Sequence, residues 1–572
     1  MRWKYIASGL AVCLIAASLW YTWGSGLLMK KNEPASLVPL EALFFAEQKN
    51  IGELIDGFNA SRLGRSLATI DIERVAAGTG LDQGQTDKLE QVVASAKALG
   101  NNAVIRQFCD DSLSFAFFPG ATEAVVAGEK HVLPMQVLLI ARPKHKAELL
   151  EMMSSAFTGD VKQGVIPYGK SEITQFTSDG TMFFAALADG YFLFAFDQAT
   201  LKTSLDLASQ PQASLAGLPE FIELKGQYDR LDFFVFTSPE AISAELTKHQ
   251  QHDWPSENLA GLRCSAYGVW REKGRFRDRS ITLIDKEKLS PVNRRFLANP
   301  PQKNDTLALV PADVQFYYWS NALAFRTILE LLQEDGMAET TLYEDSAASF
   351  KEMTGHDLEQ VLAGFADGLS LQVRRGSGNE IIPLPSLTVF FPVKDKAVIE
   401  DAIARGIQSL GLVTQDELYR NRGYRSCNLG LPGGIELLYG FLDGQLFFSS
   451  DRKMMEEIVD AVEDRKGLKE SPDFAVFATE FEKPNNSVAY VKVSEVTGGI
   501  RELAGWAGAM LAIKDGELAA KSQILIDGLL NPLFDGISMI STIGTRTFLD
   551  QDRITMESIY EIAPEQKPAK EQ

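Results

Sequence analysis

Residues 189–197 read DGYFLFAFD and residues 443–451 read DGQLFFSSD. Both begin with the Asp-Gly pair that favours a tight hairpin turn, pass through a short apolar run and end on an aspartate. Asp197 and Asp451 stand just before helical stretches, where a carboxylate accepts hydrogen bonds from the first unpaired N–H groups. Turn formation and N-capping account for Asp189, Asp443, Asp197 and Asp451 without catalysis.

Further matches extend outward in the same order. VPLEALFFAEQKN at 38–50 is echoed by VPADVQFYYWSNA at 310–322, an offset of 272. LEQVV (89–93) returns as LEQVL (358–362), and DSLSF (111–115) as DGLSL (367–371). Leu133-Pro134 and Leu384-Pro385 each precede an apolar strand, and those strands end in KHKA (144–147) and KDKA (394–397). LPEF (218–221) matches SPDF (471–474), and LID (283–285) matches LID (525–527), where the offset has drifted to 242. Collinear matches of this kind indicate internal duplication. They predict two homologous units, 36–290 and 305–560, joined by the Pro/Asn-rich LANPPQKND (297–305). Pro39 and Pro311 set the entry to the first strand of each. Residues 1–31 precede the units, and 561–572 read as a disordered tail.

Inside each unit the periodicity is mixed. ALFFAEQ, SLSFAFFP, MQVLLIARP and RLDFFVFTS read as strands, and SEITQFTSDG, TMFFAALADG and YFLFAFD as an antiparallel meander. NIGELIDGF, TDKLEQVVASAKAL, KHKAELLEMMSSAF and ATLKTSLDLA read as helices. Strands outnumber crossover helices, which predicts an α+β fold with a mostly antiparallel sheet and packed helices in each unit. In YFLFAFD, Phe192, Phe194 and Phe196 face one way and Tyr191, Leu193 and Ala195 the other. Both faces are apolar and need cover, from helices, the sister unit or a lipid-like ligand.

The chain has 572 residues and a formal charge of −20. Residues 1–31 hold Arg2, Lys4, Lys30 and Lys31 and no acidic residue, so subtracting these four charges leaves the rest at −24. So acidic a body repels phosphate backbones, which excludes nucleic acid as a partner class. Ile6 to Trp23 are 18 consecutive uncharged, mostly apolar residues flanked by aromatics. This length just spans a bilayer, and it predicts an uncleaved signal anchor, a single-pass inner-membrane topology and a periplasmic body. A cleaved signal peptide and lipidation at Cys13 are the alternatives. Residues 528–544 come next in apolarity but contain Asn531 and Asp535.

No catalytic signature emerges: no phosphate-binding loop, no Gly-x-Ser-x-Gly elbow and no Cys-x-x-Cys. Gly78, Gly80 and Gly84 have the wrong spacing for a dinucleotide fingerprint. His249 and His252 with Asp253 could hold a metal in principle, but they lie at a polar helix end with no counterpart in the second unit. The Lys144/Lys146 and Lys394/Lys396 pairs read as solvated. Of the four cysteines, Cys13 lies in the apolar segment. Cys109, Cys264 and Cys427 are too few for a disulfide framework, although a Cys109–Cys264 bridge is open to them. No catalytic, cofactor or metal residue is assigned.

Around Pro39, Ala42 and Phe44, followed by a helix and SRLGRSL (61–67), the chain resembles bacterial envelope proteins grouped as domains of unknown function. The resemblance covers mainly residues 36–82 and implies a cell-envelope location with no assigned activity. The combined expectation is a non-enzymatic, membrane-anchored periplasmic binding or scaffold protein with an envelope protein partner. The alternatives are a carrier of a lipid or other hydrophobic ligand, and an envelope hydrolase.

Overall fold

The computed structural model describes residues 33–80, 84, 111–126, 129–142, 162–178, 181–248, 260–323, 327, 340–376, 383–429, 436–550 and 552–564. The helices expected at 86–99 and 144–157 lie outside them. The described part divides into two compact units. One comprises Met1–Ile51, Ala103–Asp229 and Val235–Ser238, and the other Gly52–Asn102, Arg230–Phe234 and Pro239–Gln572.

In the first unit the strands are β1 (Phe44–Lys49), β2 (Ser112–Val126), β3 (Glu129–Arg142), β4 (Lys162–Tyr168), β5 (Ser171–Ser178), β6 (Thr181–Ala188) and β7 (Tyr191–Ala195). They pair antiparallel in the order β1-β2-β3-β7-β6-β5-β4. The meander follows from its turns: Asp189 and Gly190 take φ of 51° and 85°, the paired positive angles of the tight turn that matches strand twist. β8 (Phe233–Thr237) is divided between the units, and Ser238 N donates to Leu43 O at 2.9 Å. Phe221 of the helix Pro219–Lys225 packs edge-on against Phe45 and Phe236 at 5.9 and 5.4 Å between ring centroids.

The second unit holds β9 (Leu262–Glu272), β10 (Arg275–Ile284), β11 (Phe316–Ser320), β12 (Leu369–Arg374), β13 (Ser386–Pro392) and β14 (Thr414–Tyr419). It continues with β15 (Arg422–Asn428), β16 (Glu436–Leu442), β17 (Gln445–Ser449), β18 (Ser487–Lys492), β19 (Ile540–Asp550) and β20 (Arg553–Ile562). The order β11-β12-β13-β17-β16-β15-β14 repeats that of the first unit, and Asp443 and Gly444 repeat its turn with φ of 47° and 81°. From the other side of β11 the sheet runs on through β18, β19, β20, β10 and β9. Phe477 of the helix Ala475–Phe481 lies 5.6 Å from Tyr490, above the fully buried Tyr317. Val38 O accepts from Leu215 N, and Val310 O from Leu468 N, both at 2.7 Å. These clasps sit immediately before Pro39 and Pro311, at the entry to β1 and β11.

The expected architecture, a transmembrane helix followed by two self-contained sheets, needs correction on both counts. Among the described residues no helix is long and apolar enough to cross a membrane. Ile6–Trp23 lies outside them, and the signal-anchor and single-pass inner-membrane readings are withdrawn. The sheets are not self-contained either. β9 and β10, which fall inside the expected bounds of the first unit, join the second through nine residue pairs, from Arg275↔Glu561 to Leu283↔Arg553. An edge strand leaves a row of N–H and C=O groups unpaired, and β20 satisfies that row on β10. The LID match also fails: residues 283–285 run from β10 into the next loop, whereas Leu525 ends a helix and Ile526–Asp527 begin a π-helical turn.

At the β10–β20 seam Glu557 accepts from Arg279 Nε and Arg546 Nε, both at 2.8 Å, and Arg546 also meets Glu480 at 3.0 Å. On the other face Tyr560 and Tyr267 donate to Asp278 Oδ2 at 2.7 and 3.1 Å. Burial, then the Asp278 carboxylate, pushes the Tyr560 hydroxyl up to about 12. Burial pulls the Glu480 carboxyl upward, but Lys483 and Arg546 outweigh it and hold it below its usual range. A depressed carboxylate stabilises the fold above the unfolded value of about 4.3, and the contribution is lost as pH falls through the folded value. Glu480→Gln is therefore expected to flatten the fall of stability with acidification below about pH 5, read from denaturant midpoints across pH.

Gly544 on β19 makes room for the core helix: a methyl group there would overlap the Phe477 ring. Gly544→Ala is expected to cost about 1–3 kcal/mol in urea unfolding. A change within about 0.5 kcal/mol would mean that the helix yields freely.

Candidate functional site

β11, β12 and β18 lie side by side, and their side chains alternate between two faces. Tyr317, Trp319, Ser370, Gln372, Val488 and Tyr490 are buried on one face. Phe316, Tyr318, Leu371, Val373, Ala489 and Val491 face the other way and are only half-buried. Register sets three of these level: Phe316 pairs with Val373 on one side and with Val491 on the other. They form an apolar floor across three strands.

The roof is the helix Val493–Lys514, which starts directly after β18. Lys492 fixes the exit, its N–H donating to Gln315 O at 2.8 Å and its Nζ to Ala312 O at 3.0 Å. Val496, Ile500 and Leu503 are spaced four and three residues apart and so lie on one helix face. Together with Leu384, Pro385 and the floor they line a cavity of about 580 Å³ that is partly open to solvent, with Ile500 46% exposed. A Cβ on Gly499, which also lines it, would meet nothing within 4 Å.

Polar groups are few. Gln315 is buried, and its Nε2 donates to Glu495 O at 3.5 Å. Arg375 and Glu502 form an ion pair, with side-chain exposures of 66% and 43%. The neighbouring Arg374 points elsewhere, buried against Glu457 and Asp313. Among the described residues the lining includes no Ser, Cys or His, and Glu502 is the one carboxylate, so these residues offer neither a nucleophile nor an acid/base pair. The volume lies within the 300–1,000 Å³ range usual for small-molecule sites.

The residues singled out by sequence go elsewhere. Tyr191, Phe192, Leu193 and Ala195 are buried, and Phe194 packs 5.0 Å from Phe183. Most of β7 is thus covered by protein, while Phe194 stays half-buried. Asp197 and Asp451 cap their helices, accepting from Thr200 N at 2.7 Å and Lys453 N at 3.0 Å. Lys394 and Lys396 are exposed, as expected of a solvated pair, and Lys396 Nζ lies 4.6 Å from the centre of the Phe441 ring. Cys264 and Cys427 are buried. Cys109, Lys144, Lys146, His249, His252 and Asp253 lie outside the described residues. Among the described residues no three His, Cys, Asp or Glu side chains converge as a metal site.

The cavity was missed because its roof is where the two stretches differ. Residues 493–539 join β18 to β19, whereas only 238–261 join β8 to β9. That length difference, filled by the apolar, glycine-rich GGIRELAGWAGAMLAIK, was the available signal.

No family model matches the chain, and no curated protein sequence matches it. Among solved structures, crystal form III of TP0453 aligns at TM-score 0.25 and 11% identity, over 47% of this chain and 85% of that one. Crystal form I of TP0453 gives 0.24 and 10%, over 45% and 81%. The 6-dimethylallyltryptophan synthase from Micromonospora olivasterospora, in complex with DMASPP and Trp, gives 0.14 and 13%, over 52% and 83%. Scores this low carry no argument about fold or function.

Proposed function

We propose that the chain is a non-catalytic binding protein for an elongated hydrophobic small molecule, held between the β11/β12/β18 floor and the helix Val493–Lys514. The observation that carries this reading is the 580 Å³ cavity with apolar walls and a single charged pair. Burying apolar ligand surface there yields about 25 cal/mol per Å², enough for useful affinity without a polar anchor in the interior. The same proposal includes an origin by internal duplication and a role in the bacterial cell envelope. The envelope role rests on the resemblance at residues 36–82 alone.

A scaffold reading looks to a different surface. β14 pairs only with β15 among the described strands, and Val413 just before it and Leu418 within it are 77% and 70% exposed. The same edge carries Asp416 and Glu417, and edge charges are the usual defence against strand addition. The cavity is therefore preferred.

Gly499→Phe tests the proposal. The new ring enters the open space at Gly499, and replacing a helical glycine favours the helix by a few tenths of a kcal/mol. Titration of the full chain with Nile red is expected to show saturable binding that Gly499→Phe weakens at least tenfold, with the melting temperature held or raised. Val491→Trp, which fills the floor instead, is expected to do the same. Unchanged dye affinity in both variants would remove the cavity from consideration.

A further inference from the structure

We infer that the ligand is an anionic amphiphile whose single head group, a carboxylate or phosphate, docks on Arg375 at the cavity mouth. The inference rests on the cavity reading and adds the chemistry of one end. The interior takes an apolar chain, because Phe316, Val373, Val491, Val496 and Leu503 offer no hydrogen-bonding side chain. Among the described lining residues the charged ones are Arg375 and Glu502, and the buried Gln315 amide is already engaged with Glu495 O, so the polar end sits with the charged pair.

Three features favour the guanidinium over the carboxylate as the receptor. Arg375 is the more exposed of the two, at 66% against 43%, and is the easier to reach. Its guanidinium has five N–H donors, of which one carboxylate uses at most two, so donors are left for a second oxyanion. A guanidinium is also weakly hydrated, and it costs less than a carboxylate to desolvate beside an apolar wall. Position supports this, because Arg375 directly follows β12, whose Val373 belongs to the floor and whose Arg374 is locked by Glu457 and Asp313. The backbone that carries Arg375 is therefore anchored beside the floor. Glu502 is the resident counter-ion. An exposed pair of this kind contributes little, so a ligand oxyanion can share or take its place.

The experiment displaces Nile red from the full chain with four sixteen-carbon competitors below their micelle concentrations: hexadecanoate, hexadecyl phosphate, hexadecanol and hexadecyltrimethylammonium. The two anions are expected to displace the dye at concentrations at least tenfold lower than the alcohol and the cation. The ratio between hexadecanoate and hexadecyl phosphate tells a carboxylate ligand from a phosphate one. Arg375→Gln is expected to bring hexadecanoate to within about twofold of hexadecanol while leaving hexadecanol unchanged. Glu502→Gln is expected to tighten the anions several-fold, which a merely structural role for the ion pair would not do. If hexadecanol or the cation competes as well as the anions, the anionic head group is wrong and the apolar cavity stands. If no competitor displaces the dye, the cavity reading itself fails.

Discussion

Each strand of β11, β12 and β18 has two faces, and the two faces are finished differently. Tyr317 and Tyr490 turn towards the short helix Ala475–Phe481 and are sealed, with Phe477 5.6 Å from Tyr490. Phe316, one residue away, turns to the opposite side and shares its level with Val373 and Val491. The period of two makes this unavoidable: a strand that buries one apolar row must place the next row on the other side. What covers that second row decides what the molecule can do. Here the cover is a 22-residue helix that leaves β18 at once and spans the row without filling the space beneath it.

The floor can stay open because stability is secured elsewhere. The aromatic cluster around Phe477 depends on the absence of a side chain at Gly544. The β10–β20 seam closes an edge by main-chain pairing and backs it with Glu557 shared between Arg279 and Arg546. Such partly buried charges are tolerable because each has a partner at hydrogen-bond distance. A partly open pocket near 580 Å³ leaves apolar side chains without packing partners, and a fold bears that more easily when its core faces are closed independently.

Much of the sheet was legible in the sequence. The Asp-Gly pairs at 189–190 and 443–444 set the hairpins, and the alternating apolar runs set the strands, because both signals are local. Asp197 and Asp451 were readable as caps for the same reason. The seam was not legible: pairing β10 with β20 joins residues about 280 positions apart, and neither strand records its neighbour in composition. The short LID match misled because three residues can recur in a strand and in a helix. The candidate site stayed hidden longest. Its floor residues look like ordinary core, and only the geometry shows that Phe316 and Val491 are half-buried while Tyr317 and Tyr490 are sealed. YFLFAFD is apolar on both faces, and the structure buries Tyr191, Phe192, Leu193 and Ala195 while leaving Phe194 and Phe196 half-buried.

The central claim is that the space under the helix Val493–Lys514 holds an apolar chain. Crystallography of the full chain with a bromine-labelled sixteen-carbon carboxylate tests it most directly. The account predicts anomalous bromine density between Phe316, Val491 and Ile500, with the carboxylate towards Arg375. A saturated crystal whose cavity holds only water, with bromine elsewhere or absent, would contradict it.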